Sequence, residues 1–251
     1  MDGGGSTRNH LILLSAAMVI FAVAVAWGLD AYGRRARTYG AAGPLGSLEA
    51  SAVFIGTPRD AYRLWKERGY KGRVILYVGE RWARLDPNEY NIPPLYRPYP
   101  LPLYNLPMER ERGFLDDGNF LFMAALNGIA RRVDAVLTPA GFAEIDIQAR
   151  QARNASFGDG RTLLTHNGFP RVFSTVTTVR SPGEPVLLYV GASYFRVRNA
   201  AHLLQALNYI GLRADLVILC AEENDASLPS TARMELLRFA ELAGLKRGAQ
   251  P

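Results

Sequence analysis

Short apolar runs alternate along the chain with segments whose apolar residues recur at helical spacing. Two of these runs, VILYVG at 74–79 and VLLYVG at 186–191, end in the same tripeptide, Tyr-Val-Gly. A strand that is apolar at every position, with no polar alternate face, is typical of a parallel sheet covered by helices on both sides. The pattern therefore predicts buried parallel strands, most of them followed by a helix.

The first predicted helix has clear start signals: Thr57 suits the N-cap, Pro58 the first position and Asp60 the third. Strands are expected at 51–56, 73–79, 133–139, 186–191 and 214–220. Helices are expected at 57–70, 116–132, 141–153, 193–211 and 230–245, with a β-rich antiparallel ribbon or edge at 154–185. The predicted fold class is α/β, with an open, mostly parallel, Rossmann-like sheet and helices on both faces. Strand, helix and strand over 51–79 are expected to form one βαβ unit.

The segment 11–29 holds nineteen residues without a charge. A helix of that length nearly spans a hydrocarbon core of about 30 Å, so one transmembrane helix is expected before the α/β domain. A cleavable signal peptide is the alternative, because Ala24-Val25-Ala26 forms a cleavage-like site and Arg8 precedes the apolar run. The predicted organisation is a tail at 1–10, the span at 11–29, a juxtamembrane linker at 30–47 and the domain at 48–251.

The sequence allows two interpretations of how the transmembrane segment is oriented in the membrane. Arg34, Arg35 and Arg37 follow the span, whereas Arg8 precedes it, and this distribution puts the large domain in the cytoplasm. Short N-terminal tails with an early apolar run are commonly inserted the other way, which puts the domain outside. We favour a single-pass membrane protein with an extracytoplasmic domain.

A proline- and tyrosine-rich excursion at 86–107 interrupts the alternation, with seven prolines between Pro87 and Pro107. Proline has no amide donor, so this stretch is expected to be neither a helix nor a central strand. Long irregular segments within a compact domain are often functional or a partner surface. The excursion is therefore either a docking surface for a protein partner or an ordered loop whose tyrosines pack on the domain edge.

The repeated Tyr-Val-Gly has two explanations: convergence, because buried strands draw on few residue types, or duplicated half-domains. In either case the residues that follow each strand are the informative ones, since open α/β sheets bind ligands at the carboxyl ends of their strands. Arginines there suit a phosphate or carboxylate, and carboxylates suit a hard cation or a catalytic base. The opposite reading is that these charges only pair with one another. The candidate ligand-binding residues are Thr57, Arg59, Asp60, Glu80, Arg81, Ser193, Arg196 and Glu222.

The charge, the cysteine count and the absence of known motifs argue against several classes of function for this chain. The net charge of +6 comes from scattered basic residues, so no nucleic-acid partner is expected. The single cysteine, Cys220, permits no intrachain disulfide and no cysteine cluster, and we assign no metal. The sequence does not identify a cofactor. Glycine-rich nucleotide motifs, the Gly-x-Ser-x-Gly elbow and His-Glu-x-x-His are absent from the sequence.

Several stretches resemble the SanA/YdcF-like envelope domains. They are the strand VFIG at 53–56 with Arg59 after it, the stretch ERGYKGRVILYVG at 67–79, and ASYFRVRNAA at 192–201. The resemblance implies a Rossmann-like fold and a part in cell-envelope or lipid-carrier metabolism, with Arg59 and the turn at 193–198 near the site. Two family features differ: the usual late histidine is replaced by Tyr194 or Phe195, and the usual Ser-Gly-Gly by residues 79–81.

The sequence thus leads to two hypotheses. In the first, an envelope-associated protein anchored in the lipid bilayer handles or senses an anionic small molecule, such as a phosphorylated sugar or lipid carrier. In the second, the protein is a non-enzymatic scaffold or assembly subunit that docks through 86–107.

Overall fold

The computed structural model describes residues 51–82, 115–166 and 169–247. The expected transmembrane segment 11–29, the linker 30–47 and the Pro/Tyr excursion 86–107 lie outside these residues. Within the described ranges, no helix combines the length and the apolar character needed to cross a bilayer.

Nine strands and five α-helices make up the described part of the chain. The strands are β1 (Ser51–Ile55), β2 (Arg73–Gly79), β3 (Ala130–Leu137), β4 (Ala155–Gly158), β5 (Arg161–His166), β6 (Phe169–Thr175), β7 (Val186–Gly191), β8 (Ala214–Cys220) and β9 (Lys246–Arg247). The helices are α1 (Pro58–Glu67), α2 (Phe120–Leu126), α3 (Pro139–Ala149), α4 (Ala200–Tyr209) and α5 (Ser230–Leu242), and a 3₁₀ helix, Ala192–Arg196, follows β7.

The strands form one sheet in the order β4-β5-β6-β3-β2-β7-β8-β1-β9. All neighbours are parallel except β4 with β5 and β5 with β6, which form the antiparallel ribbon expected at 154–185. The prediction of an open, mostly parallel α/β sheet is therefore confirmed.

The side chains of alternate residues in the central strands pack into two separate hydrophobic cores, one on each face of the sheet. In β2, Ile75 and Tyr77 pack on the face covered by α1, α2 and α3, here called the first face. Val74, Leu76 and Val78 pack on the second face, under α4 and α5. Every β2 residue is buried, which explains why this strand is apolar almost throughout rather than alternating.

Three details differ from the sequence prediction. The helix expected at 116–132 covers only α2, because Gly128 adopts a left-handed φ of 66° and the next residues enter β3. The helix expected at 193–211 is split, since Asn199 caps α4 by accepting a hydrogen bond from the His202 amide at 2.8 Å. The βαβ unit also differs, because β7 and β8 lie between β1 and β2.

The order of the strands creates a switch point between β2 and β7. From β2 the chain continues through α2 on the first face to β3, whereas from β7 it continues through α4 on the second face to β8. The two connections therefore leave neighbouring strands in opposite directions. Such a divergence opens a crevice at the carboxyl ends of the two strands.

Candidate ligand crevice

A cavity of about 420 Å³ lies at this switch point. Its volume is within the range of small-molecule sites. The described residues that line it come from the ends of β2, β7 and β8 and from the starts of α1 and α2. They are Pro58, Tyr77, Glu80, Arg81, Trp82, Asp117, Gly118, Phe120, Leu121, Tyr189, Ser193, Glu222, Asn224 and Asp225.

The two Tyr-Val-Gly tripeptides lie side by side beneath this cavity. Tyr77 of β2 is the register partner of Tyr189 of β7, and their rings stack with centroids 5.3 Å apart and an interplanar angle of 13°. The two copies of the tripeptide are thus neighbours in the sheet. Burial raises the pKa of both tyrosines well above the ordinary value, so both hydroxyls stay neutral and act as hydrogen-bonding groups.

The two tyrosine hydroxyls have different surroundings. Tyr77 donates to the carbonyl oxygen of Arg81 at 3.0 Å, which closes the turn after β2. The Tyr189 hydroxyl interacts with the Cys220 thiol, a weak hydrogen-bonding group, and has no nitrogen or oxygen partner among the described residues. Tyr189 is fully buried, and its side chain is among those that line the cavity.

Glu222, just after β8, directs its carboxylate to the residues after β7. The carboxylate accepts hydrogen bonds from the Ser193 amide and, at 3.1 Å, from the Ser193 hydroxyl. Gly191 leaves the room for this contact, because a Cβ there would lie 2.6 Å from Glu222 Oε1. Burial raises the pKa of Glu222, and the two Ser193 hydrogen bonds only partly offset that effect.

The backbone at Glu222 is left-handed, with φ of 50°, a conformation that costs a non-glycine residue roughly 1–2 kcal/mol. Arg233 of α5 holds the turn. Its guanidinium donates to the carbonyls of Ala221 at 3.0 Å, Glu222 at 3.2 Å and Asp225 at 3.3 Å. The unusual conformation is therefore fixed by side-chain bonds from a neighbouring helix, and it turns Glu222 toward Ser193.

Arg196 bridges two carboxylates at the rim. Its Nε lies 3.0 Å from Glu80 Oε2, and a terminal nitrogen lies 2.9 Å from Asp225 Oδ2. The same guanidinium also donates to the carbonyl and the hydroxyl of Ser227. The pKa of Asp225 is lowered chiefly by the Ser227 hydroxyl and to a lesser degree by Arg196. Arg196 thus ties the ends of β2, β7 and β8 together and has its positive charge already compensated.

A second charged cluster lies where β1 ends. Asp117 accepts from the Arg59 amide at 3.2 Å, lies 3.4 Å from Arg59 Nε, and accepts from Asn224 at 2.8 Å. Thr57 occupies the N-cap of α1 as predicted, but its hydroxyl donates to Asp60 at 2.7 Å instead of accepting from the backbone. These contacts fasten the loop before α2 to the end of β1.

The backbone of Glu80 is held on both sides. Its amide donates to the Ser193 hydroxyl at 3.4 Å, and its carbonyl accepts from the Thr138 hydroxyl at 2.9 Å. Thr138 is also the N-cap of α3 and accepts from the Gly141 amide at 3.2 Å. One threonine therefore links the start of α3 to the rim of the crevice.

Four of the eight sequence-predicted residues line the cavity among the described residues: Glu80, Arg81, Ser193 and Glu222. Arg196 lies behind the rim, where it holds two of the lining carboxylates. The other three follow β1, which is separated from β7 by β8, and they contact Asp117 or one another. They are Thr57, Arg59 and Asp60.

Sequence reasoning missed the aromatic floor and the acidic loop of the site. The sequence contained a signal for Tyr77 and Tyr189. Each stands two positions before a strand-end glycine, so its side chain is expected on the same face of the sheet as that glycine, next to the turn that follows. The sequence contained none for Asp117 and Phe120, since they reach the crevice through the packing of α2 on the first face.

Among the residues that the structure describes, no group of three or more His, Cys, Asp and Glu side chains is arranged to hold a metal ion. No family model, no curated protein and no solved structure matches the chain.

Proposed function

We propose that this chain is a single-pass, envelope-associated membrane protein whose crevice binds a small ligand with an anionic group, such as a phosphorylated sugar or a lipid carrier. The observation that carries the proposal is the cavity between the diverging ends of β2 and β7, with polar side chains from three strand ends. The anchor at 11–29, the extracytoplasmic domain and the similarity to SanA/YdcF-like domains belong to the same proposal.

Arg81 is the residue we assign to the anionic group. Arg59 and Arg196 each have a carboxylate within 3.4 Å, whereas Arg81 lies 3.7 Å from its partner Glu144. The Arg81 side chain is 62% exposed and lines the cavity. An exposed guanidinium with a loosely held partner can exchange that partner for a phosphate at little cost, and its fork geometry suits two phosphate oxygens.

The test is calorimetric titration of the full-length protein, purified in detergent, with glucose 1-phosphate. Arg81→Gln is expected to weaken binding about tenfold, the equivalent of losing one charge-assisted hydrogen bond. Arg180→Gln is the matched control, because Arg180 is 58% exposed and pairs with Asp159 away from the crevice. Equal affinities of the Arg81 variant and the wild type would remove Arg81 from the proposal.

Membrane attachment and orientation need a separate measurement. A reporter fused to the C-terminus should be active only outside the cytoplasm, and deletion of 11–29 should move the protein from the membrane to the soluble fraction. A reporter active in the cytoplasm would contradict the extracytoplasmic assignment and take most support from the envelope role.

The second candidate is a non-enzymatic scaffold or assembly subunit that docks through 86–107. The pairing of Arg59 and Arg196 with carboxylates favours it, because such pairs leave little positive charge for an anion. In-cell crosslinking separates the two candidates. The scaffold predicts a defined crosslinked partner that disappears when the prolines of 86–107 are replaced by alanine, whereas the ligand hypothesis predicts no such dependence.

A further inference from the structure

We infer that the inner end of the crevice, formed by Glu222 and Tyr189, binds hydroxyl groups of the ligand and so selects a hydroxylated ring such as a sugar. The inference rests on the proposed function and deepens it. It assigns the anionic group to Arg81 and the hydroxyl groups to Glu222 and Tyr189, which line the same cavity.

One carboxylate of the cavity lining, Glu222, differs from the others in having no arginine partner in the described part of the chain. Four carboxylates line the cavity among the described residues, and three of them have an arginine partner: Glu80 and Asp225 share Arg196, and Asp117 has Arg59. Glu222 has no ion pair in the described part of the chain, and its bonds come from Ser193. Each carboxylate oxygen accepts about two hydrogen bonds, so Glu222 keeps capacity for donors from a ligand.

The Tyr189 hydroxyl oxygen has no nitrogen or oxygen partner in the described ranges, although the side chain is fully buried. Its contact with the Cys220 thiol is only a weak hydrogen bond, so this buried hydroxyl still gains from a stronger partner. A ligand hydroxyl is both donor and acceptor, and it can therefore donate to this oxygen.

The Glu222 carboxylate and the Tyr189 ring lie close to each other, above Gly191. A Cβ built on Gly191 would lie 2.6 Å from Glu222 Oε1 and 3.4 Å from Tyr189 Cε1, so the carboxylate and the tyrosine ring border the same point above the backbone. Two neighbouring hydrogen-bonding groups on one wall match two neighbouring hydroxyls of a ring better than they match a single charged atom.

Aromatic side chains form an apolar wall of the same cavity. The ring centroids of Phe120 and Tyr189 are 5.0 Å apart. Trp82 and Tyr77 meet edge to face, with ring centroids 5.6 Å apart, and all four rings line the cavity. A sugar ring has an apolar C–H face and a polar edge. It can pack its C–H face on this aromatic wall while its hydroxyls reach Glu222 and Tyr189.

The experiment compares three phosphorylated probes on the full-length protein: glucose 1-phosphate, butyl phosphate and ethanolamine phosphate. We expect glucose 1-phosphate to bind at least tenfold more tightly than butyl phosphate, which has the phosphate but no hydroxyls. We expect ethanolamine phosphate to bind no more tightly than butyl phosphate.

The variants Tyr189→Phe and Glu222→Gln should each lower the ratio of the affinity for glucose 1-phosphate to the affinity for butyl phosphate several-fold. Tyr194→Phe is the matched control, because Tyr194 is equally buried but packs in the core of the second face. Should Glu222→Gln fail to fold, Tyr189→Phe and the probe comparison still decide.

The outcomes are distinguishable. Equal binding of glucose 1-phosphate and butyl phosphate overturns this inference and keeps the proposed function. Tighter binding of ethanolamine phosphate overturns it in favour of a cation site at Glu222. No binding of any probe overturns both the inference and the proposed anionic ligand.

Discussion

Three strands of the sheet end at a glycine or just before one, and at each of these glycines another side chain occupies the space that a Cβ would need. A Cβ at Gly56 would lie 2.6 Å from Glu223, one at Gly79 would lie 2.2 Å from the Tyr77 hydroxyl, and one at Gly191 would lie 2.6 Å from Glu222. The two Tyr-Val-Gly copies therefore need their glycines for different neighbours. This difference favours convergence over duplicated half-domains as the origin of the repeat.

Gly141 offers a direct test of such packing. A Cβ at this position would lie 2.1 Å from the backbone carbonyl oxygen of Glu80, which Thr138 holds in place. Gly141→Ala should lower the free energy of unfolding by about 1–3 kcal/mol, since the backbone at the crevice rim must move. Urea unfolding of the full-length protein measures the change.

Gly158→Ala is the control for this prediction, because nothing lies within 4 Å of a Cβ built there. It should change the free energy of unfolding by no more than about 0.5 kcal/mol. If both variants were equally stable, the close approach of α3 to Glu80 would be refuted.

Glu222 makes stability depend on pH. Burial raises the pKa of its carboxyl group in the folded protein, so the folded state holds this proton more tightly than the unfolded state. As the pH rises from the ordinary carboxyl pKa of about 4.3 through the raised folded value, the contribution of Glu222 to the free energy of unfolding falls. Below the ordinary value, the group carries no penalty.

Glu222→Gln removes this titration. The free energy of unfolding of the wild type, measured relative to the variant, should therefore decrease as the pH is raised from about 4 to about 7. A difference that is constant over this range would contradict the raised pKa. Both proteins contain the other carboxyl groups, so the contributions of those groups cancel in this difference. They include Asp134, whose pKa is also raised by burial.

At the scale of the elements, the opposite end of the sheet is fastened by a buried ion pair. Arg73 at the start of β2 pairs with Asp215 of β8, and each side chain is only 6% exposed. Arg73 also donates to the carbonyl of Pro185 just before β7. The pair thus connects three neighbouring strands at their amino ends, while the crevice opens at their carboxyl ends.

Breaking this pair leaves a buried charge without compensation, so Arg73→Met should cost about 3–5 kcal/mol of stability. The double variant Arg73→Met/Asp215→Leu should recover most of the loss, because two apolar side chains replace both charges. Urea unfolding gives both values. As a surface comparison, Arg150→Met should cost less than about 1 kcal/mol, since the Arg150 side chain is 65% exposed.

Strands were easier to predict from the sequence than helix ends. Runs such as VILYVG and ADLVILC are apolar because both faces are buried, and they coincide with β2 and β8. The helix expected to continue to residue 132 ends near Gly128, because a left-handed glycine and the pairing of β3 with β2 override local helical spacing. Burial is a local signal, whereas the competition between helix and strand is decided by distant partners.

At the scale of the molecule, strand order decides which polar residues meet. The sequence indicated that the residues after β2, β7 and β8 would share one edge, and these strands are parallel neighbours. Glu80, Ser193 and Glu222 accordingly come together. Thr57 does not line the cavity, because β1 lies beyond β8 in the sheet. The sequence could not predict this position, since it depends on contacts between opposite ends of the described chain.

Amide hydrogen exchange should reflect the same order. β2 is buried at every position and paired on both sides, whereas β4 is an edge strand with mainly exposed residues. We expect the amides of β2 and β7 to exchange most slowly and those of β4 to exchange fastest among the strands. Mass spectrometry of peptides from these strands would show this order, and equal protection of β4 and β2 would contradict the sheet arrangement.

The place of β1 between β8 and β9 has a consequence for biosynthesis. Ala52 pairs with Val217, about 165 residues further along the chain. At a synthesis rate of roughly 5–20 residues per second, β1 emerges from the ribosome on the order of 10–30 s before β8 is available. The nascent chain therefore carries an unpaired apolar strand until β8 emerges, and a chain truncated before Ala214 leaves that strand permanently without this partner.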